Sequence, residues 1–191
     1  MANTIDLNGS ALNKELIAAG AITPGHLLVR DGSGTVVVHA TAAGRAAAMF
    51  ARENDLKGDD ITVAYISGDL VQMLFFPKGG EVNALVAASA PAIVVGDFLE
   101  SAGDGTLRVP VDVADLTGTL TGTVDGALTD ITFNATWSQG QADEINKNFK
   151  EFQTIVNGLL PEVDQFPVAI ALESVDNSGG GSAVRIRVEI L

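Results

Sequence analysis

The strongest constraint on the fold is a short internal repeat, in which residues 21–38 resemble residues 92–109 at an offset of 71. Eight of the 18 aligned positions are identical, including the Gly-x-Gly-Thr sequences at 32–35 and 103–106. Each copy has the pattern of a strand, a tight turn and a second strand, because glycine supplies the positive φ that a hairpin turn needs. The repeat therefore predicts two related β-hairpins.

The segments that follow the two hairpins are also alike. Residues 48–53 precede a β-type run at 61–66, and residues 169–174 precede another at 184–190, with a polar, Gly-containing loop between the runs in both cases. Apolar and charged residues alternate along 184–190, which is typical of a half-buried strand. The sequence predicts a mainly β fold, a pseudo-duplicated small β-barrel or sandwich.

These patterns divide the chain into three parts. The barrel or sandwich is predicted to comprise residues 21–110 and 167–191, and residues 111–166 interrupt its second copy as an insertion. The insertion carries nine acidic and two basic residues, which is −7 of the net charge of −13. Residues 1–20 are interpreted as an N-terminal arm or as a short helix that begins after Ser10.

The insertion opens with a period of four residues. Apolar residues and glycines alternate in a Gly/Thr-rich ladder: Leu116, Gly118, Leu120, Gly122, Val124, Gly126 and Leu128. Glycine at every fourth position weakens a helix by about 1 kcal/mol per site. A turn-rich ribbon, or strands intertwined from several chains, is therefore preferred to a helix, and a flexible linker is the alternative.

A heptad pattern then predicts an α-helix over about residues 138–160. Apolar residues follow one another at spacings of 3, 4, 3, 4 and 3: Ala142, Ile145, Phe149, Phe152, Val156 and Leu159. A seam this narrow is typical of helices that associate with one another. We expect these six side chains to form the interface of a homotrimer, with packing of the helix on its own barrel as the alternative.

Composition excludes several classes of function. The net charge of −13 repels phosphate backbones, so no nucleic-acid partner is expected. The chain has no cysteine, which excludes thiolate-bound zinc and iron–sulfur sites. No apolar run is long enough to cross a membrane, and the first residues lack the basic and apolar regions of a secretory signal. A protein made and kept in the cytoplasm, with no membrane contact, is the expectation.

The sequence offers little that resembles a catalytic or metal site. His26 and His39 lie in the first repeat without the spacing of a metal motif, and Asp97 takes the place of His26 in the second repeat, which indicates a tolerant surface position. Asp60 and Asp104 lie in predicted turns, where a solvated turn is commoner than a calcium site. We therefore expect no enzyme activity, no cofactor and no metal.

Several segments resemble the head proteins of tailed bacteriophages. The runs 135–139 and 142–149, the Gly/Thr ladder and the two hairpin motifs are together similar to capsid decoration proteins, also called cement or head-stabilising proteins. The resemblance implies a homotrimer on the exterior of the virion that binds the major capsid protein of an assembled head. It also implies that the trimer stabilises the shell against the pressure of packaged DNA, and it implies no catalytic or cofactor residue.

Two other functions are compatible with a trimeric β protein. A phage fibre or spike module that binds a host-surface glycan would expose aromatic side chains for stacking on sugars, and the chain has one Trp, one Tyr and eight Phe. Because most of these aromatics lie in apolar runs, this alternative ranks second. A trimeric hydrolase with carboxylates paired across subunits would need acidic residues on facing surfaces.

Overall fold

The computed structural model describes residues 4–110 and 166–191, which belong to one compact unit and are mainly β, as predicted. The Gly/Thr ladder and the heptad helix lie outside these residues and stay predictions. The described part contains eleven strands: β1 (Asp6–Asn8), β2 (Leu12–Ile17), β3 (Leu28–Arg30), β4 (Val36–Val38), β5 (Met49–Ala51), β6 (Leu70–Phe75), β7 (Glu81–Val86), β8 (Phe98–Ser101), β9 (Leu107–Arg108), β10 (Ala169–Ala171) and β11 (Val184–Ile190).

The last five strands form a closed barrel, which we call barrel 2. Its strands are hydrogen-bonded in the order β7-β11-β10-β8-β9, and β9 returns to β7 through a parallel pairing of Val86 with Leu107. All its other neighbours are antiparallel. Strand β1 adds to the outer edge of β7. The barrel thus closes on itself, which leaves no open sheet edge among its five strands.

The five preceding strands repeat this connectivity and form barrel 1. Strands β2, β6 and β5 pair in that order, and β3 pairs with β4 as a hairpin. Single-residue bridges complete the circuit: Leu27 with Phe50 joins the β3 side to β5, and Ala18 with Val36 joins β2 to β4 in parallel. Because the Ala18–Val36 bridge matches the Val86–Leu107 pairing, the duplication covers five strands rather than a hairpin alone.

Backbone hydrogen bonds define which residues correspond. The Gly25 amide donates to the Ala51 carbonyl at 2.8 Å, and in the second copy the Gly96 amide donates to the Ala171 carbonyl at 2.9 Å. Two further bonds repeat in the same way: Ile22 pairs with Tyr65, and Ile93 pairs with Val175. Strand β5 therefore corresponds to β10, and β6 to β11.

This correspondence corrects the sequence comparison after the hairpins. Residues 61–66 are not the counterpart of the strand at 184–190, because only Tyr65 of that run bridges to another strand. The counterpart is β6, since Met73 pairs with Ala51 as Val188 pairs with Ala171. In the first copy a turn at residues 66–69 lies between this run and β6, which begins at Leu70.

The first twenty residues contain strands rather than the short helix that the sequence admitted. Strand β2 pairs along its whole length with β6, so tertiary pairing overrides the local helix propensity of this Ala- and Leu-containing run. The chain before β1 is held by the buried carboxylate of Glu53, which accepts hydrogen bonds from the Thr4 hydroxyl at 2.5 Å and the Ile5 amide at 3.0 Å.

Each barrel has its own apolar interior, and a third apolar contact joins the two barrels. Met49 and Ala51 point into barrel 1, so Phe50 between them points outward, as strand alternation requires. Phe50 and two other outward residues of barrel 1, Leu27 and Leu74, are buried in the same cluster as the interior of barrel 2. The outer face of barrel 1 is therefore packed against the core of barrel 2.

The hairpin tip of barrel 2 enters this contact through Gly105. Its carbonyl accepts from the Leu27 amide at 2.7 Å, and its amide donates to the His39 carbonyl at 3.0 Å. Gly105 has φ +83°, and a Cβ there would lie 2.8 Å from Cβ of Val38. The equivalent Gly34 of barrel 1 has φ +85° but no atom within 4 Å of that position. Close approach is therefore required only in the second copy.

Gly105→Ala is expected to destabilise the protein more than Gly34→Ala. Both alanines pay about 1–2 kcal/mol for the left-handed backbone, and at Gly105 the methyl group must also displace Val38, which adds about 1–3 kcal/mol. Urea titration of the two variants measures the difference in unfolding free energy. Equal losses in the two variants would contradict the inserted hairpin tip.

Candidate functional site

The six residues predicted to form a trimer seam lie outside the residues that the structure describes. They are Ala142, Ile145, Phe149, Phe152, Val156 and Leu159. Their helix and their role in association therefore stay predictions. The site that the structure does describe is the surface of the two barrels, with its histidines, turn carboxylates, one mixed-charge cleft and two apolar patches.

His39 and Ser101 form a hydrogen-bonded pair between the barrels. The Ser101 hydroxyl and Nδ1 of His39 are 2.7 Å apart, and Nε2 lies 3.0 Å from the Arg45 carbonyl. Since a carbonyl only accepts, Nε2 carries the proton and Nδ1 accepts from Ser101. The serine oxygen also accepts from the Gly103 amide at 3.2 Å and is fully buried, so this pair holds the barrels together and presents no nucleophile to solvent.

His26 closes a tight turn, so the prediction of a tolerant surface position is wrong. Its Nδ1 accepts from the Thr23 amide at 3.1 Å, and in the second copy the Asp97 carboxylate accepts from the Val94 amide at 2.8 Å. Histidine and aspartate share the role because each offers an acceptor three residues after the same amide. Burial lowers the pKa of His26, an effect that the negative charge of Asp104 opposes and the positive charge of Arg185 reinforces.

The same turn occurs a third time, before β6. Residues 66–69 read Ile-Ser-Gly-Asp, and the Asp69 carboxylate accepts from the Ile66 amide at 2.9 Å. The glycines of the three turns have φ of +92° at Gly25, +92° at Gly68 and +95° at Gly96. The sequence signal for this third turn was Gly68-Asp69 before an apolar strand, which matches Gly96-Asp97 but lies outside the two segments related by the offset of 71.

The aspartates of the turns accept hydrogen bonds from their own chain. Asp60 and Asp104 each accept from the amide and hydroxyl of the threonine two residues later. Asp31 does the same for Ser33 and Thr35, and the hydroxyls of Thr35 and Ser33 lower its pKa to about 2. These carboxylates stabilise loops, and no cluster that could hold a metal ion occurs within residues 4–110 and 166–191.

A cleft of about 860 Å³ lies where β11 meets the loop at residues 60–62. Arg185 crosses it, donating to the Pro24 carbonyl at 3.0 Å and to the Ile61 carbonyl. Burial lowers the pKa of Arg185, and the charge of Asp60 opposes this effect. The remaining charged residues of the lining are Glu81, Glu173 and Arg187, and Arg187 lies 4.0 Å from the Glu81 carboxylate. The cleft mixes both signs of charge and favours no single class of small ligand.

Two apolar patches are exposed on the barrels. The Ile17 patch, on barrel 1, consists of Ile17, Ile66 and Leu70, which are 44%, 67% and 45% exposed. The Phe98 patch, on barrel 2, consists of Val94, Val95 and Phe98, which are 55%, 61% and 53% exposed. Neither patch was predicted from the sequence, because apolar residues in strand-like runs were assigned to the core.

Comparison of the sequence with the models of known protein families and with curated proteins finds no match. In the part of the chain that the structure describes, no helix has the length and apolar character needed to cross a membrane.

The half-buried His26 makes stability depend on pH. Because its pKa is lowered in the folded state, the unfolded chain takes up a proton first as the pH falls below about 6.5, and the free energy of unfolding decreases. His26→Asn keeps an acceptor for the Thr23 amide but does not titrate, so it should lose less stability between pH 7.5 and pH 5. Urea midpoints measured across this range test the difference.

Asp97→Asn is the matched control, because it alters the equivalent turn and leaves His26 in place. It should keep the pH dependence of the parent protein between pH 7.5 and pH 5. If His26→Asn and the parent protein change in parallel over this range, the half-buried histidine is not the source of the effect.

Proposed function

We propose that this protein is a structural virion protein that binds the outer surface of an assembled bacteriophage capsid as a homotrimer and stabilises the shell against internal DNA pressure. The proposal starts from the resemblance of residues 135–149 and of the two hairpin motifs to capsid decoration proteins. The observation that carries it is the exposure of apolar side chains at two of the three repeated turns of the double barrel. Such a surface suits the contact between subunits that a homotrimer requires.

The polar groups of the described residues support a binding role rather than a chemical one. The turn carboxylates accept hydrogen bonds from neighbouring backbone amides, and the His39–Ser101 pair is buried between the barrels. Catalysis needs titratable groups that converge on an accessible point. The charged residues of the cleft at β11 are of both signs, and its Arg185 donates to the Pro24 and Ile61 carbonyls. The other titratable groups described above stabilise loops and the barrel contact.

A trimer explains how a weak contact with the shell would suffice. Three linked contacts raise the effective affinity far above that of one contact, provided that the spacing of the sites matches. A site shared by neighbouring capsomers exists only in the assembled lattice, so free capsid protein would not compete. Binding then stabilises the assembled state by mass action.

Introducing charged residues into the predicted helix seam tests whether the seam mediates association. Ile145→Asp with Phe149→Asp places two carboxylates in the seam and should abolish association, because a desolvated charge in a helix interface costs several kcal/mol. The matched control, Thr154→Asp with Asn157→Asp, adds the same number of carboxylates on the face of the predicted helix opposite the seam. Light scattering after size exclusion should give three times the chain mass of 19.7 kDa for the parent and control. An unchanged mass in the seam variant would refute the seam.

Binding to the shell is measured by co-sedimentation. The purified protein is mixed with expanded heads of a tailed phage from which the decoration protein is missing, and with the soluble capsid protein of the same phage. Binding to heads but not to soluble capsid protein is the expected result. Binding to neither, together with retention on an array of bacterial surface glycans, would favour the fibre or spike module instead.

The described surface has one feature that suits a glycan, the exposed aromatic ring of Phe98. A single exposed ring within residues 4–110 and 166–191 is a small platform for sugar stacking, and its neighbours Val94 and Val95 add apolar rather than hydrogen-bonding groups. Glycan recognition therefore remains the second proposal.

A further inference from the structure

The contact between the two barrels has two sides. Barrel 1 contributes the turn at Gly25 and the outward side chain of Leu27, and barrel 2 contributes β7, Arg185 and Gly105. The Leu85 amide donates to the Gly25 carbonyl at 3.0 Å, and Cγ of Leu85 lies 3.4 Å from where a Cβ on Gly25 would lie. Arg185 donates to the neighbouring Pro24 carbonyl at 3.0 Å.

Because the barrels are duplicates, barrel 2 has its own copy of the surface that barrel 1 contributes to this contact. Barrel 1 likewise has its own copy of the surface that barrel 2 contributes. On barrel 2, the counterparts of Pro24, Gly25 and Leu27 are Val95, Gly96 and Phe98. Val95 and Phe98 belong to the Phe98 patch, and Gly96 lies between them. Where Leu27 is fully buried, Phe98 is 53% exposed.

The other side of the contact is likewise exposed on barrel 1. The matching bridges of Ala18 and Val86 make Ile17 the counterpart of Leu85. Ile17 pairs with Leu70 as Leu85 pairs with Arg185, so Leu70 corresponds to Arg185. Leu85 is 4% exposed, whereas Ile17 is 44% exposed. The Ile17 patch therefore has two apolar residues, Ile17 and Leu70, at the positions where barrel 2 has Leu85 and Arg185 in contact with barrel 1.

Four glycines show the same difference between the buried contact and its exposed counterparts. Gly25 and Gly105 lie in the contact, and a Cβ on either would meet atoms of the other barrel. Their counterparts Gly96 and Gly34 keep the same positive φ, +95° and +85°, but have no atom within 4 Å of a Cβ. The backbone shape of the contact is thus present at both ends of the double barrel, with nothing packed against it there.

Strand β2 adds an independent observation. Before the bridge of Ala18 to β4, its outer edge is unpaired among the described residues and Leu12 to Glu15 are exposed, whereas the corresponding strand β7 is covered on its edge by β1. An exposed edge strand flanked by apolar side chains is a template for pairing with another chain. Within the chain, the edge of the corresponding strand β7 already contacts one such surface, the turn before β3.

We propose that copies of this chain associate head to tail, with the Ile17 patch of one copy seated on the Phe98 patch of the next. The contact repeats the one between the two barrels within a chain, and the amide of Ile17 donates to the carbonyl of Gly96 as Leu85 donates to Gly25. A head-to-tail contact closes into a ring when its rotation allows. If this contact joins the copies of the trimer of the proposed function, barrel 1 and barrel 2 of the three copies follow one another in turn around the three-fold axis.

Cysteine crosslinking tests this pairing directly, because the parent chain has no cysteine. Ile17→Cys and Val95→Cys are prepared as two single variants of the full chain. Each alone should stay a single chain on a non-reducing gel after mild oxidation, and an equal mixture should give a disulfide-linked dimer. Leu56→Cys, at a residue 78% exposed and outside both patches, replaces Val95→Cys in the control mixture and should give no such dimer.

A second variant checks that the linkage needs the apolar contact. Phe98→Asp in the Val95→Cys chain should remove the crosslinked dimer, and its unchanged melting curve would show that the barrels remain folded. Failure of the Ile17→Cys and Val95→Cys mixture to crosslink overturns the head-to-tail contact, as does an Ile17→Cys chain that links to itself. The mass of the seam variant reports separately on the helix, so the two modes of association are distinguishable.

Discussion

The packing of one barrel's outer face against the other barrel's core is the contact on which the described structure depends. A five-stranded barrel of this size encloses few side chains, and barrel 1 alone would leave Leu27, Phe50 and Leu74 in water. Burial of these three large side chains contributes about 1.5–3 kcal/mol each. Phe50 also meets Phe76 edge to face, with ring centroids 6.1 Å apart. Ser101, His39 and Gly105 are set within the same contact, so hydrogen bonds as well as apolar burial stabilise each copy against the other.

The repeat in the sequence was sufficient to predict a duplicated β fold and the location of both hairpins. It did so because glycine at positive φ is not freely exchanged for other residues, and Gly34 and Gly105 have positive φ at the same position of the two hairpins. The remaining strands were harder to align, since the paired strands β5–β6 and β10–β11 have one identical residue at corresponding positions, Ala51 and Ala171. The turn at Gly68 was missed because it lies outside the 71-residue offset, and β2 was mistaken for a possible helix because its pairing with β6 is not a local property.

The surface patches and turn residues were predicted less well than the fold. A strand alternates between two faces, but the sequence does not say whether the outer face meets water, another barrel or another chain. Leu27 and Phe98 occupy the same position in the two copies, and only the structure shows that the first is buried and the second exposed. The same limit applies to His26 and Asp97, whose shared role depends on an acceptor atom rather than on residue type.

The two copies differ most in the loop that leaves the second strand of the hairpin. In the first copy this loop, residues 39–48, is held by the buried His39 and by the Ala43 amide, which donates to the Ser101 carbonyl at 2.9 Å. In the second copy the same place in the barrel carries residues 109–168. The same connection in the two copies therefore has two different lengths: the short one is fixed by contacts between the barrels, and the long one is where the chain accommodates about fifty additional residues.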